Sequence, residues 1–135
     1  MYDVVWFKRD LRVTDHRPLA SAAEAGPVIP LYIVEDELWQ QADMSGRHWD
    51  FIADALVELR ENLKRCGQPL VVRTGDAVDV LDELRARDFI SGLWSHQETG
   101  NNWTYQRDLR VGAWCRKHNI KWREIQNHGV SRPSR

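Results

Sequence analysis

The chain has 135 residues, which is enough for one domain whose core buries about two-thirds of the unfolded surface. A hydrophobic share of 42% and a charged share of 29% exclude a disordered or fibrous chain. A net charge of −1 argues against a dedicated nucleic-acid module, though not against a local basic patch.

Val4-Val5-Trp6-Phe7 is a continuous apolar run and reads as a strand buried on both faces. Lys8 to Asp15 is a polar loop. Thr14 or Asp15 is expected to cap a helix that carries Pro18 in its first turn and ends at Gly26. Val28 to Val34 reads as the second strand. Pro30 cannot donate to a ladder, so it points to an edge position or a bulge there. Glu35 to Gly46 reads as a loop with a short helix near Leu38-Trp39.

Ser45 is the expected cap of the clearest helix in the chain. Ile52, Leu56, Leu59 and Leu63 fall on one face of a 3.6-residue period, and Gly67 closes the helix. Leu70 to Arg73 is the third strand, followed by a turn and cap at Thr74-Gly75-Asp76. Val80, Leu81 and Leu84 mark the next helix. Phe89 to Trp94 reads as the fourth strand and Ser95 to Asn102 as a polar loop. Tyr105, Leu109 and Ala113 are expected to start the buried stripe of a last helix that ends near His118-Asn119. Ile120 to Ile125 is the fifth strand, and the residues after it read as a tail. Strands alternating with helices at this spacing mean βαβ units, hence one α/β domain with a parallel sheet.

Cys66 and Cys115 form no C-x-x-C pair, and the five histidines show no ligand spacing, so no zinc or other metal site is expected. The seven tryptophans are read chiefly as core and half-buried fillers. The N-terminus lacks a signal-peptide pattern. The longest apolar run, Val28 to Val34, is too short to span a membrane, so a cytoplasmic protein is expected.

In open parallel sheets, ligands bind outside the carboxyl ends of the strands, where the strand order reverses. The loops 8–14, 35–46 and 95–102 therefore matter most. Glycine-rich cradles for dinucleotides or triphosphates are missing from them. Lys8-Arg9-Asp10-Leu11-Arg12 follows the first strand instead. Asp10 between two arginines favours a structural ion-pair cluster, with an anion grip or an inter-domain contact as the alternative. Glu98, beside His96, reads first as a solvated loop charge and second as a ligand contact. No catalytic arrangement appears, with neither a G-x-S-x-G elbow nor a Cys/His nucleophile pair.

Trp6-Phe7-Lys8-Arg9-Asp10-Leu11-Arg12, followed by Asp15 and Leu19, resembles the opening of DNA photolyases and cryptochromes. Leu31 to Val34 with Ala42 to Ser45, and Tyr105 to Asp108 with its Arg-Asp pair, resemble later stretches of the same family. The likeness runs to about Val130, which implies a domain over residues 1–130 and a tail or inter-domain linker over 131–135. It also implies a five-stranded parallel Rossmann-like sheet of order 3-2-1-4-5 with helices on both faces. It further implies a following helical domain, not contained in this chain, that binds FAD and carries out light-driven repair of UV-damaged DNA or cryptochrome signalling. On that reading this chain alone holds neither the catalytic FAD nor lyase activity.

The family's antenna chromophore would occupy a crevice rimmed by Arg9, Val34, Glu35, Met44, Gln97 and Glu98. Folate-binding members show an Asn-Glu pair where this chain has Trp103 and Thr104. The resemblance therefore favours a deazaflavin or a flavin over a folate. A cryptochrome and a stand-alone nucleotide-binding module stay open as alternatives to a photolyase.

Overall fold

The computed structural model describes residues 2–8, 11–13, 16–39, 46–97 and 102–126. Its strands are β1 (Tyr2–Phe7), β2 (Val28–Val34), β3 (Val71–Thr74), β4 (Ile90–His96) and β5 (Lys121–Ile125). Its helices are α1 (Arg17–Ala25), α2 (Asp36–Trp39), α3 (Gly46–Arg65), α4 (Ala77–Asp88) and α5 (Asn102–Lys117). All strand pairs are parallel and the order is β3-β2-β1-β4-β5, as expected.

β1 lies in the middle, and its alternation builds both cores. Val4 and Trp6 face α4 and α5, where Leu31, Leu81, Leu93, Val111 and Trp114 are buried. Val5 and Phe7 face α1 and α3, where Leu19, Leu59 and Leu63 are buried. Such a strand has no solvent side, which is why its sequence is a continuous apolar run.

The helix phase read for α3 holds. Leu59 and Leu63 are fully buried, while Ile52 and Leu56 are half-buried against the same cluster. Gly67 ends α3 in the left-handed region (φ 78°), where its N–H reaches the Lys64 carbonyl and the Gln68 N–H reaches that of Leu63. At Gly92 any Cβ would stand 2.7 Å from an Asp3 carboxylate oxygen. That carboxylate accepts hydrogen bonds from Trp94 Nε1 (2.8 Å) and Ser91 Oγ (2.9 Å), so β1 and β4 are also joined through side chains.

Several local expectations are corrected. α1 is capped by His16, whose Nδ1 accepts the Leu19 N–H at 3.1 Å, and not by Thr14 or Asp15. β2 is an interior strand, but β3 begins only opposite Leu31. Pro30 therefore lies on a stretch with β1 on one side and no strand on the other. Phe89 does not open β4. It caps α4 in the left-handed region and is 75% exposed.

Ser95 and His96 are not loop residues, because pairing with Glu124 and Ile125 extends β4 through them. The stripe read on α5 points the wrong way. Tyr105, Leu109 and Ala113 are exposed, and the buried side holds Thr104, Arg107, Val111, Trp114 and Cys115. Burial pushes the Cys115 thiol up to about 11, so it is inert packing. Ser45, the expected cap of α3, lies outside the described residues.

The two helix phases separate under mutation. Leu59→Ala is expected to cost about 2–5 kcal/mol in urea unfolding, as a large-to-small change in a packed core. Leu109→Ala should stay within about 0.5 kcal/mol, as an exposed change. Equal losses at the two positions would show that the assigned faces are wrong.

Candidate functional site: the carboxyl edge of the sheet

The chain leaves β1 toward α1 and β2 on one side of the sheet, and leaves β4 toward α5 and β5 on the other. The strand order therefore reverses between β1 and β4, and their carboxyl ends border the switch point where such folds take ligands. Two unlike sets of side chains meet there.

On the α5 side a chain of alternating charge is packed among indoles. Arg107, 1% exposed, has its guanidinium 4.7 Å from the Trp6 ring centroid and 5.7 Å from that of Trp103. Its Nε lies 3.3 Å from Glu35 Oε2, and one terminal nitrogen lies 3.1 Å from Asp108 Oδ1. Asp108 in turn pairs with Lys8 at 3.4 Å. Lys8 is buried, with Nζ 4.3 Å from the Trp6 centroid and 5.5 Å from that of Trp122. Trp122 Nε1 donates to Ser95 Oγ at 3.0 Å. Lys8, the first cation after β1, is thus part of an internal network tied to α5.

On the α1 side the surroundings are aromatic. His16 and His96 are both buried, with ring centroids 4.6 Å apart in an edge-on contact. His16 also lies 4.6 Å from Phe7. Because His16 Nδ1 is a hydrogen-bond acceptor, its ring proton sits on Nε2.

Of the expected rim residues, Val34 is the half-buried last residue of β2, and its carbonyl accepts the Gly75 N–H at 3.0 Å. Glu35 is buried and paired with Arg107. Gln97 is exposed just past β4, and its N–H donates to the Ile125 carbonyl at 2.7 Å. Arg9, Met44 and Glu98 lie outside the described residues, as does Asp10 with its expected ion pairs. His16, His96 and Trp6 were not singled out from sequence as site residues. Arg107 and Asp108 stood out only through the family likeness. The signal that could have flagged Arg107 is a charge on the α5 face opposite the exposed Tyr105 and Leu109.

A cavity of about 200 Å³ adjoins the network at the ends of β2 and β3, lined by Glu35, Asp36, Glu37, Gly75, Asp76 and Trp103. Trp103 Nε1 donates to Glu37 Oε1 at 3.4 Å. Burial alone would raise the Asp76 carboxyl. The Arg110 guanidinium at 2.7 Å, with the N–H groups of Asp79 and Val78, holds it below its ordinary value. Carboxylates on this side repel an anion, so a phosphate-bearing or anionic ligand fits the α1 side of the edge better. Among the described residues no group of three or more His, Cys, Asp or Glu could hold a metal ion. Among them, too, no helix is long and apolar enough to cross a membrane.

A doubly wound parallel domain with an aromatic, partly charged switch point and no glycine-rich phosphate loop defines a Rossmann-like α/β domain. More narrowly, the chain belongs to the DNA photolyase family, whose model matches residues 3–135. It is 35% identical over 106 residues to a deoxyribodipyrimidine photo-lyase of Halobacterium salinarum, a match covering 70% of this chain and 22% of the relative. It is 38% identical over 90 residues to a cryptochrome DASH of Natronomonas pharaonis, covering 62% of this chain and 19% of the relative. The chain therefore spans about a fifth of the length of these relatives. In structure it is similar to an archaeal photolyase from Sulfolobus tokodaii that holds two FAD molecules, described as implying a novel light-harvesting cofactor. The TM-score is 0.78 at 25% identity, over 93% of this chain and 29% of that one.

Two measurements probe this edge. Glu35→Ala leaves a buried guanidinium short of a partner and should cost about 3–5 kcal/mol, whereas the double change Glu35→Leu with Arg107→Met should cost clearly less. A double variant as unstable as the sum of the two single changes would refute the coupling. Asp76→Ala removes the α4 cap and should cost about 1 kcal/mol at pH 7. Because the folded-state pKa of Asp76 is lowered from 3.8, its contribution is present above that value and lost as pH falls through the lowered pKa. The gap between wild type and variant should therefore close in acid, as read by urea melts at pH 7 and below pH 3.

Proposed function

We propose that this chain is the N-terminal scaffold and antenna-holding domain of a deoxyribodipyrimidine photolyase. The domain would comprise residues 1–130, with 131–135 leading toward a helical domain that binds the catalytic FAD and engages UV-damaged DNA. The observation that carries this reading is the switch point between β1 and β4, with a glycine-free, aromatic α1 side and a charge network on the other. On this reading the parent protein is a cytoplasmic carbon–carbon lyase, and this chain by itself is not catalytic.

A bound antenna chromophore would supply light absorption and pass its excitation to the FAD. The residues of this chain would bind and orient it. Val34 offers an apolar contact at the end of β2 and Gln97 a carboxamide at the end of β4, suited to hydrogen-bonding ring nitrogens. Glu35 would act through its pairing with Arg107, fixing the loop after β2. Arg9, Met44 and Glu98 complete the proposed rim: a cation for an anionic ring oxygen or phosphate, a polarisable apolar floor, and a second acceptor. The edge-on imidazoles of His16 and His96 support a planar ring as ligand, since aromatic pairs favour such contacts. The Sulfolobus tokodaii photolyase with its two FAD molecules supports a flavin-type antenna over a folate.

A cryptochrome is the second reading, favoured by the likeness to cryptochrome DASH. Repair of pyrimidine dimers under blue light by the full-length protein separates the two. The antenna assignment is tested by titrating the chain with riboflavin or FMN, a deazaflavin and a folate, read by fluorescence anisotropy. Flavin or deazaflavin binding should weaken about tenfold in Gln97→Ala, the loss of one good hydrogen bond. Tight folate binding that survives both Gln97→Ala and Glu98→Ala would overturn ligand and site together.

A further inference from the structure

The opposite edge of the sheet carries a second concavity. β3 begins at Val71, opposite Leu31, so residues 28–30 of β2 have no strand on their outer side. In the parallel ladder the Asp3 N–H donates to the Pro27 carbonyl, so residues 27 and 29 turn toward β1, and the backbone groups of Val28 turn toward this open side, while Pro30 has no N–H to offer there. The chain arriving from α3 passes through Gly67 and Pro69 without filling the gap. A groove of about 360 Å³ results, with Ile29, Pro30, Val71 and Leu84 in its lining. That volume lies within the range of small-ligand sites.

Two cations line the same groove, Arg73 from β3 and Arg87 from α4. Among the described residues neither is in an ion pair. Arg73 donates only to the Val72 carbonyl, at 3.0 Å. Asp88 is the single acidic group of the lining. Beside it stands Phe89, 75% exposed with φ at 53°, a backbone state that costs a bulky L-residue about 1–2 kcal/mol. The Phe89 carbonyl accepts the Tyr2 N–H at 3.1 Å, and Tyr2, 39% exposed, lines the groove. An exposed aromatic in a strained conformation adds nothing to either core.

We infer that this groove is a binding site for a small amphiphilic anion, an apolar aromatic or aliphatic body ending in one carboxylate, sulfonate or phosphate. The body would lie on Ile29, Val71 and Leu84 beside the Tyr2 ring, and the anionic end would meet Arg73 and Arg87. The groove sits at the amino ends of the strands, a strand length of roughly 20 Å from the switch point, so it does not depend on what the antenna crevice holds.

The experiment is a fluorescence titration of the chain with 8-anilinonaphthalene-1-sulfonate, in competition with decanoate, together with two-dimensional amide NMR of the labelled protein. The expected result is one saturable class of site that decanoate displaces. Amide shifts should centre on Ile29, Val71, Leu84 and Asp88, with His96 and Gln97 unmoved. Arg73→Gln with Arg87→Gln should weaken binding about tenfold, as expected for two charge-assisted contacts. Tyr2→Ala should weaken it several-fold, because the Tyr2 ring is the aromatic group of the lining. If the double variant does not fold, Arg87→Glu on the exposed face of α4 takes its place, with the same loss expected. Unchanged affinity in the arginine variant that folds, or shifts centred away from this groove, would overturn the proposal.

Discussion

The carboxyl edge of this domain depends on the burial of one guanidinium. Arg107 is almost wholly removed from water, and such a group costs several kcal/mol unless it is paired on every side. Its partners come from widely separated parts of the chain: Trp6 at the end of β1, Glu35 after β2, and Trp103 and Asp108 on α5. Asp108 then recruits Lys8, so the exits of β1 and β2 and the start of α5 are fastened to one another. These are the segments that border the switch point. Their arrangement follows from the need to satisfy a buried charge rather than from any preference of the loops themselves.

That network also makes the two sides of the edge chemically unlike. The α4 and α5 side is rich in carboxylates, from Glu35 to Glu37 and Asp76, with its cations engaged in pairs. The α1 side offers Phe7, His16 and His96 around the end of β1 and β4. The carboxylates of the first side repel an anion, and the second side carries no such concentration of acidic groups among the described residues. The light-harvesting group proposed for this edge is compatible with these electrostatics. The amino edge differs again, because the short β3 leaves a groove in which two arginines carry no ion pair among the described residues.

How much of this was legible beforehand varied with the origin of the signal. β1 was readable because a strand covered on both faces must be apolar throughout, and Val4 to Phe7 are. The strand order came from resemblance, since periodicity has no direct bearing on which strands neighbour each other. The phase of α3 was readable from Leu59 and Leu63. The phase of α5 is not readable in this way, because residue type is a poor guide to burial there. Tyr105 and Leu109 are apolar yet exposed, while Arg107 is charged yet buried, and nothing within α5 reveals the partners that make this stable.

The sequence by itself determined the alternation of strands and helices, the continuous apolar runs, the turns at Gly67 and Gly75-Asp76, and the absence of a glycine-rich phosphate loop. All of these rest on residues close together in the chain. Tertiary structure alone decided that His16 rather than Thr14 or Asp15 caps α1, because its ring also packs on Phe7 and His96. It decided that Ser95 and His96 are strand, because β5 lies beside them to accept pairing. It decided as well that Glu35 serves Arg107. Each of these outcomes is set by a partner tens of residues away, and short-range propensity carries no information about such a partner.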